Sequence, residues 1–92
     1  MDHHEKAIKI TAQFYAARDS AKVLLGNRYE IRMKQYGAII QTVAKDYHLD
    51  TVAATLKIAK DCHMEGGALM LLLAAAAEIL EPSAPAPAGG GK

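Results

Sequence analysis

The sequence predicts an all-α fold, a small helical bundle of three to four helices, on three observations. Apolar residues recur in alternating steps of three and four along most of the chain, which places them on one face of a helix. Helix-start residues and glycines punctuate that pattern at the intervals helices require. The hydrophobic fraction is 51% with 5% aromatic and no Trp, so the core must come from Ala, Leu, Ile and Val, the first two of which lead the helix scale. A chain of 92 residues supports one hydrophobic core. We place that bundle at residues 1–81 and a Pro/Ala/Gly tail, expected to be disordered, at 82–92.

The first helix is expected to start at Asp2, with Glu5 completing a capping box. Its seam is Ala7, Ile10, Phe14, Ala17, Ala21 and Leu24, and Gly26 supplies the left-handed residue that ends it. Asn27 and Glu30 repeat the capping pattern at once. The second helix therefore follows after almost no loop and folds back antiparallel, with its seam at Tyr29, Met33, Tyr36, Ile40, Val43 and Tyr47. Seams of matching length suggest a hairpin zipped along both stripes. Gly37, inside the second helix, costs about 1 kcal/mol relative to Ala and is read as the close approach of another backbone.

Asp50 is expected to cap a short amphipathic third helix. Leu49, Val52, Leu56 and Ala59 or His63 mark its apolar side, and Lys57, Lys60 and Asp61 its wet side. Gly66-Gly67 interrupts the pattern, and a hydrophobic C-terminal helix then runs from Ala68 to Leu80 with no polar residue before Glu78. A helix apolar all round must be buried on most sides. Pro82 ends it, and the residues beyond it contain nothing that builds a core.

Composition also limits the function classes. The formal net charge of +1 gives no basic field of the kind an autonomous DNA binder carries. A single cysteine, Cys62, allows no intrachain disulfide and fits a reducing, cytoplasmic setting. The N-terminal residues lack the apolar core of a signal peptide, and the longest apolar run is too short to span a bilayer.

The C-terminal helix is the most informative feature for binding. Either it is the centre of the chain's own core, or part of its face, Leu69, Met70, Leu72, Leu73, Ile79 and Leu80, is a partner or homodimer interface. Exposed charges on the first two helices, Arg18, Asp19, Lys22, Arg28, Arg32 and Lys34, are candidate contacts for a protein partner. Arg28, Arg32 and Lys34 also carry the competing reading, a nucleic-acid contact. The last helix cannot read bases, because it offers Ala and Leu where recognition needs Arg, Asn, Gln or Ser.

His48, Cys62 and His63 flank the third helix, but their spacing is not that of paired zinc ligands. Cys62 is expected to be buried, and no metal or cofactor is expected. No nucleophile stands beside a base, and no glycine loop follows a strand, so catalysis is not expected.

Two stretches, Tyr15-Ala-Ala-Arg-Asp-Ser-Ala-Lys-Val-Leu-Leu-Gly-Asn-Arg-Tyr29 and Gly67-Ala-Leu-Met-Leu-Leu-Leu-Ala-Ala-Ala-Ala-Glu-Ile-Leu-Glu-Pro82, resemble those of short uncharacterised phage or prophage proteins. The resemblance carries no catalytic or ligand motif. It implies a mobile-element accessory protein that blocks a host complex by occupying its surface. The expectation from the residues themselves is a non-catalytic protein-interaction module that self-associates.

Overall fold

The helix order follows from where the chain can and cannot continue a helical ladder. The computed structural model describes residues 2–83, with side chains from residue 10 onward. Helix α1 spans Asp2–Leu25, a 3-10 turn spans Gly26–Arg28, α2 spans Tyr29–Tyr47, α3 spans Thr51–Asp61 and α4 spans Gly66–Leu80. The chain is thus a small all-α bundle. The expected Asp2–Glu5 cap and the seam residue Ala7 lie outside the described side chains, and the tail beyond Ser83 lies outside the described residues.

Each helix end has a local cause. Gly26 takes a positive φ of 55° and stops α1, as its lack of a Cβ allows. The expected Asn27 cap does not form: the 3-10 turn carries the chain straight from α1 into α2, which starts after Arg28 with no side-chain cap. Asp50 does cap α3, its Oδ1 accepting from the Ala53 N–H at 2.7 Å. Helices α2 and α3 end alike. His48 and His63 adopt positive φ, and the next residue, Leu49 or Met64, donates its N–H back to Ala44 or Ala59, each at 2.9 Å.

Helix α4 is the centre. Ala74, Ala75, Ala76 and Ala77 are all fully buried, and four consecutive helical residues point in every direction around the axis, so α4 is enclosed on all sides at that level. Their small side chains let α1, α2 and α3 approach. Phe14 and Ala21 from α1, Tyr29, Met33 and Ile40 from α2, and Ala54 and Ile58 from α3 complete the core with Leu72. Buried Thr55 satisfies its hydroxyl on the Thr51 carbonyl at 2.7 Å.

Several expectations change. Helices α1 and α2 do not zip along their stripes; direct contact between them is slight, and both pack on α4 instead. The α4 helix has too much apolar surface to sit outside a two-helix seam, so it takes the place between them. At the end of the α1 seam Leu24 is 68% exposed and Leu25 turns inward, one position later. Tyr47, at the end of the α2 seam, is exposed and lies under the Lys57 ammonium, 4.5 Å from ring centre to nitrogen. In α3, Leu56 is exposed while Ala54, Thr55 and Ile58 are buried, so the burial stripe is rotated from the one expected. Gly37 meets no backbone: a Cβ there would touch the Ile79 Cδ1 at 3.9 Å, an ordinary contact. Cys62 is exposed rather than buried.

Candidate functional site

Two features of this fold bear on function, a polar tie over the end of α4 and an apolar corner around the α1–α2 turn. The tie centres on Glu78, the first polar residue after the apolar run. The Tyr29 hydroxyl donates to its Oε2. Ser83 donates twice, from its backbone N–H to Oε1 at 2.8 Å and from its hydroxyl to Oε2 at 2.6 Å. Nearby, Arg18 donates to the Glu81 carbonyl and lays its guanidinium over the Tyr15 ring at 5.1 Å. The last turn of α4 and the residues after it are thereby fastened to α1 and α2.

Partial burial alone would raise the Glu78 pKa, but the hydrogen bonds from Ser83 and Tyr29, with the charge of Arg18, outweigh it and hold the carboxyl below its ordinary value. Burial, followed by donation to Glu78 and the charge of that carboxylate, pushes the Tyr29 phenol well above its ordinary value. Near neutral pH Glu78 is a saturated carboxylate and Tyr29 a protonated donor. Neither is poised to exchange a proton.

Beside this tie, α2 and α4 border a shallow trough. One part, about 380 Å³, has Met33, Gly37, Ala75, Ile79 and Pro82 among its lining, with Lys34 and Gln41. An adjoining hollow brings in Lys22, Tyr29, Glu30 and Ser83. The Lys22 ammonium stands 5.7 Å from the Tyr29 ring centre, so this residue faces the trough.

The second feature is apolar surface that the fold leaves outside. Val23 is 87% exposed, Leu24 68% and Ile31 63%, all within nine residues of sequence that turn the corner between α1 and α2. Val23 and Leu24, with Asp19, Ser20 and Met70, line an open hollow of about 560 Å³. On the outer face of α2, Ile31 points away from the core defined by Tyr29, Met33 and Ile40, with Arg28 and Arg32 on one side of it and Glu30 and Lys34 on the other.

The residues singled out from sequence are divided by this arrangement. Leu72 lies wholly in the chain's own core and Leu69, Met70, Leu73 and Ile79 pack partly against it, while Leu80 is 39% exposed. The α4 face is therefore mostly internal. Arg18 is engaged by Glu81 and Tyr15, and Lys22 by Tyr29. Asp19, Arg28, Arg32 and Lys34 are exposed, and of these only Arg32 has a side-chain partner among the described residues, Gln35 at 3.3 Å.

Arg28, Arg32 and Lys34 do not form one basic face. At about 100° per residue, Lys34 stands roughly 160° from Arg32 around the helix, and it borders the trough instead. Among the described residues, no group of three His, Cys, Asp or Glu is placed to hold a metal ion, and no helix is long and apolar enough to cross a membrane. No family model, curated protein or solved structure matches the chain.

Sequence reading missed both features. The Glu78 tie had one signal, a lone carboxylate closing an apolar run. The apolar corner had another: Val23, Leu24 and Leu25 are consecutive, and a helix with one buried stripe cannot bury all three.

Proposed function

We propose that this chain is a non-catalytic protein-interaction module that acts by occupying a surface, that of a second copy of itself or of a host complex. One observation carries the reading. The fold satisfies its core with α4 and still leaves Val23, Leu24 and Ile31 more than 60% exposed at one corner, and a cluster of exposed large apolar side chains is the mark of an interaction site. The resemblance to short phage proteins favours a partner in a host assembly.

Light scattering on a gel-filtration column, over a wide concentration range, tests self-association, and affinity capture from a native lysate tests a heterologous partner. A chain that stays monomeric at high concentration and captures nothing would sink the proposal. The competing nucleic-acid reading loses support from the separation of Lys34 from Arg28 and Arg32 around α2. Titration with generic DNA and RNA at two salt concentrations addresses it, since phosphate binding falls steeply with added salt.

A further inference from the structure

The apolar corner consists of two surfaces of opposite character. The hollow of Ser20, Val23, Leu24 and Met70 has one charged group on its rim, Asp19, which is exposed and has no hydrogen-bond or ion-pair partner among the described residues. The cations of α1 near it are turned elsewhere: Arg18 to the Glu81 carbonyl and the Tyr15 ring, Lys22 to the Tyr29 ring. The hollow is therefore apolar with an acidic edge. The ridge on α2 is apolar with a basic edge. Ile31 projects from its crest, and by helix geometry Arg28 and Arg32 form the basic edge on one side, about 60° and about 100° from it, while Lys34 and Glu30 lie at about 60° and about 100° on the other side.

We infer that the hollow of one chain receives the Ile31 ridge of a second copy, with Asp19 facing Arg28 and Arg32 across a twofold interface.

This rests on the interaction-module reading and names its partner and surface. A hollow and a ridge carried by the same chain are what a twofold pair requires, since each copy then gives its ridge to the other's hollow and the contact forms twice. The three most exposed large apolar side chains of the described residues, Val23, Leu24 and Ile31, all leave water in that one contact. Charge complementarity sets the register: Asp19 meets two cations, whereas a hollow-to-hollow pairing would oppose two carboxylates.

A charge swap tests this. Asp19→Arg makes both edges basic, and Arg28→Asp with Arg32→Asp makes both acidic. All three positions are exposed, so the fold is expected to persist, and circular dichroism melts check it. Light scattering is expected to show a dimer for the unmodified chain, and self-association weakened about tenfold or more for each swapped protein alone. An equal mixture of the two swapped proteins restores a dimer, because the introduced arginine of one then faces the introduced aspartates of the other and the remaining half keeps its native pairing. Recovery in the mixture, and only there, is not explained by loss of fold.

If the unmodified chain is a dimer but both swapped proteins still dimerise alone, the surface is wrong while self-association stands. A mixture that stays monomeric overturns the surface in the same way. A strictly monomeric unmodified chain overturns this inference together with the self-association on which it depends.

Discussion

Tyr29 and Glu78 are hydrogen-bonded across the contact between α2 and α4, the phenol donating to a carboxylate that also accepts twice from Ser83. This relationship joins the first residue of α2 to the last turn of the helix that fills the core. Tyr29→Phe keeps the ring in the core and removes only the donor. The expected cost is about 1 kcal/mol, the usual net worth of one hydrogen bond, raised by the charge on the acceptor and lowered by its partial exposure. Urea denaturation of the two proteins side by side measures it. An unchanged midpoint would mean that solvent replaces the phenol without loss.

The same carboxylate makes stability depend on pH. Its folded pKa lies below the ordinary value of 4.5, so the unfolded chain takes up the proton first. The stabilisation is complete above that value and is lost as pH falls from there through the folded pKa. The melting temperature is expected to drop on acidification across this window, and Glu78→Gln, which cannot titrate, is expected to show a shallower drop. Parallel slopes for the two proteins would remove Glu78 from the account.

Gly37 is buried in the middle of α2, where its missing side chain serves no close approach, since an added Cβ would rest against the Ile79 Cδ1 at 3.9 Å. Gly37→Ala then gains what helix propensity gives, about 0.5–1 kcal/mol, chiefly by restricting the unfolded chain. For a domain of this size that is a rise of several degrees in melting temperature. A loss of stability would show that the α2–α4 contact cannot yield even one methyl group.

The opposite exchange is expected at the ends of α2 and α3. His48 and His63 hold φ of 58° and 51°, a region in which a Cβ is crowded by the following carbonyl. His48→Gly and His63→Gly should each stabilise by about 1 kcal/mol. The two turns are separated by α3, whose 11 residues span roughly 16 Å at about 1.5 Å each, so the double variant should be close to additive. Thermal melts of the three proteins decide it.

What the sequence made legible was periodic, and what it hid was relational. The α2 seam from Tyr29 to Val43 faces inward as the spacing of threes and fours requires, and Asp50 caps α3. The failures come where a second element decides. Leu24 and Leu25 both suit the α1 stripe, and the packing of α1 on α4 selects Leu25. In α3, contacts with both α2 and α4 select Thr55 over Leu56, because the Thr55 hydroxyl is satisfied within its own helix and a Leu at the rim costs little. Four helices offer several pairings of equal periodicity, and the sequence alone does not say that α4 separates α1 from α2. The candidate corner was hidden for the same reason: Val23 and Ile31 are ordinary helix residues until the packing leaves them outside.

The central place of α4 gives the most demanding prediction, a contrast within one helix. Leu72 is 1% exposed and Leu80 is 39% exposed. Truncating Leu72 to Ala removes methyl groups from a fully buried, close-packed site that can relax only in part, so a cavity is left behind. Leu72→Ala should therefore cost about 2–5 kcal/mol, the range for buried leucines. Leu80→Ala should cost less than about 1 kcal/mol, because water already reaches the side chain and no cavity is left. Guanidinium unfolding of both variants reads the difference directly. Equal costs at the two positions would mean that α4 lies at the margin of the core, and the enclosure of Ala74 to Ala77 would have to be abandoned with it.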